Sequence, residues 1–318
     1  MDEMLQRMLP RRKFSRIGWA LVVYYLLMLV AVFFAVMLQS ALLLIQGAAS
    51  GNLDHMDANS MMQNGWGYLL AIAAGLLILR VWKGTKFCRQ EIWSRGKPMT
   101  AGDFFSQLCM VIFVQLLFQI VASLMEALLN LMGLTAMGPL ESATMSVESL
   151  SMFLYVCVGA PIAEGLLFRG LVLRTLMPYG KRFAIVMSAL LFGVYHGNVV
   201  QIPYAMAVGL VFGYVAAEHS VAWAMVLHMF NNLVLADMIP RLGHFLPEGL
   251  VDELLGLLVL GCSIAAMVIA IVRHREIGAY FRKNRMDGRF VKAFFTAPGI
   301  LVMMILMLVL AFSGLAVL

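Results

Sequence analysis

The segment Pro161-Ile-Ala-Glu-Gly-Leu-Leu-Phe-Arg-Gly170 places one carboxylic acid, Glu164, in the middle of a long apolar stretch. An ionisable side chain at membrane depth costs at least about 2.5 kcal/mol to insert, so such residues usually mark a functional site. Two more apolar segments follow, and they carry His196 and then His228 with Asn232. An acid, two imidazoles and an amide brought together would form a hydrolytic site, and the sequence predicts one here.

The composition is that of a polytopic membrane protein. Of the 318 residues, 62% are hydrophobic and 13% are charged, whereas soluble domains carry about 25% charged residues. The net charge of +6 comes from basic residues in short loops between apolar segments. It therefore indicates contact with the lipid bilayer and membrane topology, and no nucleic-acid partner. The four cysteines lie far apart without a C-x-x-C pair, so no disulfide framework is expected.

The apolar stretches predict an all-α fold, a transmembrane bundle of about nine spans with a polar cavity in its core helices. Each stretch is near the roughly 20 residues that a helix needs to cross a bilayer. The predicted spans are residues 17–46, 66–84, 104–132, 148–174, 183–198, 203–217, 221–238, 250–272 and 293–317. Loops rich in Lys and Arg alternate with loops that lack them. This alternation predicts a multi-pass protein of the cell membrane with a cytoplasmic N-terminus and an outside C-terminus.

The polar residues divide the chain into three regions. Residues 1–147 form an apolar scaffold of about three spans, and residues 148–238 form a core of about four spans that contains the polar side chains. Residues 239–318 form a final pair of spans joined by a basic cytoplasmic loop. We expect the chemistry to lie in the middle region.

Depth and helix facing bring the polar residues together. At 1.5 Å per residue, the four lie roughly 12 to 21 Å from the cytoplasmic ends of their helices. Residues four apart share a helix face, so each polar group has a neighbour one turn away. The pairs are Glu164 with Phe168, Phe192 with His196, and His228 with Asn232. We therefore expect one shared site, with Phe168 and Phe192 as structural support.

Peptide hydrolysis needs an activated water molecule, a proton carrier and hydrogen-bond donors for the oxyanion. Glu164 suits a general base, with His196 sharing and orienting the water. His228 and the Asn232 amide suit the oxyanion donors. Alternatively, Glu164, His196 and His228 match the ligands of some catalytic zinc sites, but the H-E-x-x-H motif is absent. No cofactor is therefore expected.

The same residues resemble a known family. Pro161 to Gly170 resembles the E-E-x-x-x-R motif of the CAAX-protease and bacteriocin-processing (CPBP, or Abi) family. Residues 192–196 resemble its F-x-x-x-H motif, and residues 228–232 its H-x-x-x-N motif. The resemblance covers about residues 148–238 and implies an all-helical intramembrane glutamic endopeptidase, similar to the type II CAAX prenyl endopeptidases.

The resemblance also implies roles for the site residues. Glu164 and His196 would activate water, and His228 and Asn232 would form the oxyanion hole. The substrate would be a peptide or protein in the membrane. Members of the family were formerly classed as metalloproteases, whereas the glutamate mechanism needs no metal.

One departure from the family pattern concerns Gly165, which stands where the motif has its second Glu. Arg169 thereby lacks the carboxylate one helical turn away. On an α-helix Arg169 would also point about 140° away from Glu164. Because an unpaired cation at membrane depth is costly, we expect Arg169 to be a structural residue with another acceptor. Glu218 is the nearest candidate, and backbone carbonyls at a broken helix end are the alternative.

Three alternatives remain open on sequence grounds. Taken singly, Glu164 could be an ion-pair partner, His196 and His228 packed histidines, and Asn232 an interhelical hydrogen-bonding residue. The loss of the second Glu would fit a catalytically weak or inactive member that acts as an immunity or scaffold protein. A proton-coupled transporter is less favoured, because the chain shows no inverted repeat.

Overall fold

The protein is an all-α membrane bundle, as predicted. The structure, a computed structural model, describes residues 2–50, 64–144, 149–233, 247 and 249–318. The α-helices are α1 (Asp2–Ser50), α2 (Trp66–Lys86), α3 (Ala101–Leu131), α4 (Met137–Thr144), α5 (Leu150–Leu154), α6 (Ala160–Glu164), α7 (Arg174–Leu176), α8 (Lys181–Tyr195), α9 (Gln201–Glu218), α10 (Val221–Asn232), α11 (Leu250–Val272), α12 (His274–Lys283), α13 (Gly288–Phe295) and α14 (Pro298–Ser313). Two short strands, β1 (Leu134–Thr135) and β2 (Ala316–Val317), pair antiparallel.

Within the described residues, four helical stretches are long and apolar enough to cross a membrane. They are Pro10–Ile45, Ala101–Leu131, Leu150–Tyr179 and Glu253–Val272. Two bent pairs, Trp66–Val81 with Lys83–Glu91 and Gly288–Phe295 with Pro298–Ser313, raise the number to six if each pair is one span. The three predicted spans that do not meet this measure are those at α8, α9 and α10. With 15 residues, α8 does not reach the length of a full crossing. The end of the seventh predicted span, 234–238, lies outside the described residues.

The site is built on one interrupted helix, Leu150–Tyr179, which we call the central rod. Two π-helical segments, Tyr155–Gly159 and Gly165–Leu173, separate α5, α6 and α7 along it. Pro161 has no N–H to give to the preceding turn, and the first π-helical segment lies directly before α6, in which Pro161 falls. Such segments widen a helix locally and occur often at functional sites.

The central rod packs against α8, α9 and α10, and α8 and α9 lie side by side along most of their length. The helix α1 packs against α2 and α14, and α3 packs against α11. The centre of the bundle is filled by fully buried aromatic side chains, namely Phe14, Phe168, Phe183, Phe192, Phe212 and Phe294. The hydroxyl of Ser188, on α8, donates a hydrogen bond of 2.8 Å to the carbonyl oxygen of Phe168 in the second π-helical segment.

Contacts between loops at one end of the bundle join segments that the charge pattern assigns to the outside. Leu134 pairs with Val317 in the two-stranded sheet, and the Leu318 amide donates to the carbonyl of Gly133 at 3.0 Å. The Asn198 amide donates to the carbonyl of Pro139 at 2.9 Å. The loop after α3, the turn after α8 and the C-terminus therefore lie together.

The opposite end joins segments that the charge pattern assigns to the cytoplasm. The amide of Lys97 donates to the carbonyl of Glu218 at 2.8 Å, and the amide of Gly96 to that of His219 at 2.6 Å. A Cβ atom on Gly96 would collide with the Glu218 carbonyl, so glycine is needed for this close approach. The Arg174 guanidinium donates to the carbonyls of Ser94 and Ala216 at 3.0 and 3.1 Å.

Candidate active site

Glu164 is the last residue of α6, and its side chain reaches a cavity of about 320 Å³. About 30% of the side-chain surface is exposed. His196 lines the same cavity from the end of α8. The acid and one imidazole of the predicted site therefore meet at a space that can hold water or part of a substrate.

His196 is held in one orientation by its own helix. Its Nδ1 lies 2.8 Å from the carbonyl oxygen of Phe192, four residues earlier. Because a carbonyl oxygen only accepts hydrogen bonds, we assign the proton to Nδ1 and the lone pair to Nε2. The Phe192 ring lies edge-on to the imidazole, with a centroid distance of 4.8 Å. The F-x-x-x-H spacing thus provides both the hydrogen bond and the wall that fix this histidine.

His228 approaches Glu164 from α10. Its Nε2 lies 3.8 Å from Glu164 Oε2, which is too long for a direct hydrogen bond. A water molecule beside the pair could contact both atoms at ordinary hydrogen-bond distance. The imidazole stacks on the Phe212 ring at a centroid distance of 4.8 Å, so it is buried and rotationally fixed.

Asn232 lies one turn beyond His228, and its amide is already hydrogen-bonded. Its Nδ2 donates to the carbonyl oxygen of Val156 at 2.9 Å. Its Oδ1 accepts from Asn231 Nδ2 at 3.1 Å, and the Tyr204 hydroxyl donates to Asn231 Oδ1 at 3.3 Å. The structure therefore ties Asn232 to the first π-helical segment of the central rod, and one Nδ2 hydrogen remains for another acceptor.

Arg169 is buried in the second π-helical segment. The guanidinium carbon lies 3.9 Å from the centroid of Phe192 and 5.2 Å from that of Phe212. Neither terminal nitrogen has a hydrogen-bond partner among the described residues. The cation is therefore enclosed by the two aromatic rings that also contact His228.

The expected direction of Arg169 assumed α-helical geometry, whereas the segment Gly165–Leu173 is π-helical. In a π-helix the hydrogen bonds join residue i to residue i+5, so the fifth residue returns toward the starting face. Arg169 does not line the cavity that Glu164 and His196 share; its guanidinium contacts the Phe192 and Phe212 rings, which also contact His228.

The expected ion pair between Arg169 and Glu218 was wrong. Glu218 Oε1 instead lies 2.8 Å from Lys181 Nζ and accepts a hydrogen bond of 3.0 Å from the Tyr280 hydroxyl. Burial acts to raise the pKa of Glu218, but the bonds from Lys181 and Tyr280 outweigh it and hold the pKa below its usual value. Glu218 therefore connects α9 to α8 and to α12 at the end of the bundle.

Gly165 has a packing role that its position in the motif does not reveal. A Cβ atom there would collide with Cγ of Met225 on α10. The missing side chain thus allows α10, which carries His228, to pack closely on the central rod. The volume that a second glutamate would need is occupied by methionine.

The wall of the cavity was not predicted from the sequence. Five of the nine tyrosines line it, namely Tyr24, Tyr25, Tyr68, Tyr155 and Tyr195. Three of them come from α1 and α2, in the region predicted to be scaffold. The only local signal is Tyr195, which directly precedes His196. Phe168 supports the wall from inside, with ring centroids 5.2 Å from Phe192 and 5.3 Å from Tyr195.

The described part of the chain contains no group of three or more His, Cys, Asp or Glu side chains placed to hold a metal ion. Glu164, His196 and His228, the alternative zinc ligands, are therefore not among any such group.

The comparisons with known proteins agree with the motifs. A family model described as type II CAAX prenyl endopeptidase Rce1-like matches residues 146–234. No curated protein and no solved structure matches the chain. The matched segment runs from just before the central rod to just beyond Asn232, and so includes all three motifs. The predicted resemblance to the CAAX-protease family is thereby confirmed over residues 146–234.

Proposed function

We propose that the protein is an intramembrane endopeptidase that hydrolyses peptide bonds of membrane-associated peptides or proteins. The observation that carries this proposal is the approach of His228 Nε2 to Glu164 Oε2, at 3.8 Å, beside a cavity that His196 also lines. A carboxylate that lies within one water molecule of one imidazole, at a cavity lined by a second imidazole, is suited to general acid–base chemistry. The family match at residues 146–234 supports the same activity.

In the proposed reaction, Glu164 accepts a proton from water as the water oxygen attacks the scissile carbonyl carbon. His196, through the lone pair on Nε2, orients that water. His228 and the free Nδ2 hydrogen of Asn232 donate to the developing oxyanion. When the tetrahedral intermediate collapses, the C–N bond breaks and the proton held by Glu164 passes to the leaving amine.

We propose that this chemistry uses no metal ion. The proposal is supported by the lack of a converging three-ligand set among the described residues. Activity is expected to survive exhaustive chelation. Loss of activity on chelation, followed by recovery with Zn²⁺, would contradict this part of the proposal.

We also propose the nine-span arrangement in the cell membrane, with the N-terminus in the cytoplasm and the C-terminus outside. The loop contacts at the two ends of the bundle support it, because each end joins segments of one predicted side. In this arrangement α8, α9 and α10 cross as short helices surrounded by longer ones. Residues 148–238 form the protease core between the N-terminal scaffold and the C-terminal pair.

The test compares membranes that contain the unaltered protein with membranes that contain Glu164→Gln. Mass spectrometry of released and newly truncated peptides should show products only with the unaltered protein. Removing a general base is expected to slow cleavage by at least about 100-fold. Glu253→Gln is the matched control because Glu253 is exposed near the start of α11, and it should cleave normally.

Identical peptide profiles for the unaltered protein and Glu164→Gln would favour the alternative, an inactive scaffold or immunity protein. The packing of Met225 into the place of the second motif glutamate is the feature that fits that alternative. The short distance between Glu164 and His228 weighs against an inactive protein.

A further inference from the structure

The two oxyanion donors proposed so far, His228 and Asn232, do not line the cavity. The amide of Asn232 already donates to the carbonyl of Val156, so only one of its hydrogens is available. Asn232 does not line the cavity, whereas Glu164 and His196 do. A substrate carbonyl oxygen held in the cavity would therefore need a further hydrogen-bond donor from the cavity wall.

The phenol groups of the wall are the available donors. Of the five tyrosines, Tyr195 already donates to the carbonyl of Leu21 at 3.5 Å. Tyr24 and Tyr155 line the same cavity as Glu164, and the carboxylate also acts electrostatically on both phenols. Neither hydroxyl has a hydrogen-bond partner among the described residues. Two unpaired donors therefore line the cavity that the acid reaches.

Tyr155 lies on the same interrupted helix as Glu164, whereas Tyr24 lies on α1. Tyr155 belongs to the central rod, nine residues before Glu164. Its ring stacks on Tyr68 with a centroid distance of 4.7 Å and an interplanar angle of 27°. The bond from Asn232 to Val156 holds the next residue of the rod. A donor on such a fixed ring needs little reorganisation when charge develops.

We propose that the Tyr155 hydroxyl donates a hydrogen bond to the carbonyl oxygen of the scissile peptide bond and to the oxyanion formed from it. This inference rests on the proposed peptidase function and adds a catalytic residue outside the three motifs. The phenol keeps its proton throughout, so no bond to Tyr155 forms or breaks. Asn232 then also acts as a positioning residue, because it holds the turn that carries Tyr155.

The test uses Tyr155→Phe, which keeps the ring and its stacking on Tyr68 and removes only the hydroxyl. The probe is a phosphinic dipeptide flanked by leucine residues, whose anionic oxygens mimic the tetrahedral intermediate. A hydrogen bond to a charged group contributes about 1.5–3 kcal/mol, so the probe should bind roughly 10- to 100-fold more weakly. For peptides cleaved by the unaltered protein, kcat should fall by a similar factor with little change in KM.

Tyr179→Phe is the matched control, because Tyr179 packs on Phe14 and Phe290 away from the cavity. It should bind the probe like the unaltered protein. Normal binding and normal kcat in Tyr155→Phe would overturn the inference, as would a loss confined to Tyr24→Phe. Failure of the unaltered protein both to bind the probe and to cleave peptides would overturn the peptidase function as well.

Discussion

The guanidinium carbon of Arg169 lies over the Phe192 ring, 3.9 Å from its centroid. Phe192 also contacts the imidazoles of His196 and His228. A buried cation is thus held by an aromatic ring that at the same time positions both histidines of the site. The favourable energy of a desolvated cation–π contact, about 2 kcal/mol or more, offsets part of the cost of burying the charge.

This contact predicts an unusual order of stability among Arg169 variants. Arg169→Lys should destabilise the protein more than Arg169→Met, because an ammonium is more strongly hydrated and cannot stack on the rings as a planar guanidinium does. Methionine removes the buried charge and fills the space between the rings. Thermal unfolding of purified protein in detergent measures the order. A lysine variant that is more stable than the methionine variant would contradict the prediction.

A second prediction concerns the packing of Gly165 against Met225. Gly165→Glu restores the family motif, yet it should destabilise the protein by about 1–3 kcal/mol because the new side chain collides with Met225. Met225→Ala should remove part of that loss when the two changes are combined. The double-mutant cycle is measured by thermal unfolding. Additive losses would show that the two residues do not compete for the same space.

A third prediction follows from Glu218 and its partners. Since its folded-state pKa is lowered, Glu218 stabilises the protein fully above its ordinary pKa of 4.5. That stabilisation is lost as the pH falls below this value and Glu218 becomes protonated in the folded protein. Glu218→Gln should lower stability near neutral pH by about 1–3 kcal/mol and should lose less additional stability on acidification. Unfolding curves of the unaltered protein and of Glu218→Gln at pH 7 and below pH 4.5 test this prediction. Equal losses of stability on acidification in the two proteins would refute it.

A fourth prediction concerns membrane sidedness. Reporter fusions at residues 90 and 280 should report the cytoplasm, and fusions at 140 and 318 should report the outside. The fusions at 140 and 318 should report the same side in either orientation, because Leu134 pairs with Val317 at one end of the bundle. A cytoplasmic signal at residue 318 would defeat the proposed orientation.

The sequence predicted the proximity of Glu164 to His196 and His228 better than it predicted the surroundings of these residues. Glu164, His196 and His228 could be placed together because each lies at a similar depth on a neighbouring helix, and helix rise is the same for any sequence. The tyrosine wall could not be predicted in this way. Tyr24 and Tyr68 lie about 140 and 100 residues before Glu164, and only the packing of α1 and α2 on the central rod brings them to the cavity.

The position of Arg169 around its helix depends on the helix type, which local sequence patterns do not determine. A helical pattern predicts 3.6 residues per turn, whereas the segment from Gly165 to Leu173 is π-helical in the folded protein. Similarly, the choice of Lys181 and Tyr280 as partners for Glu218 depends on how α8 and α12 meet α9. Pairing over such sequence separations follows from tertiary packing.

The second π-helical segment also makes the number of residues between Glu164 and Arg169 important in its own right. Deleting one residue from Gly165–Leu173 would favour ordinary i→i+4 hydrogen bonding and would rotate everything on one side of the deletion by about 100°. A substitution along the segment can be accommodated by neighbouring side chains, whereas a change of length turns the guanidinium out of its aromatic enclosure. During divergence, this stretch should therefore tolerate exchanges of residue type far more readily than insertions or deletions.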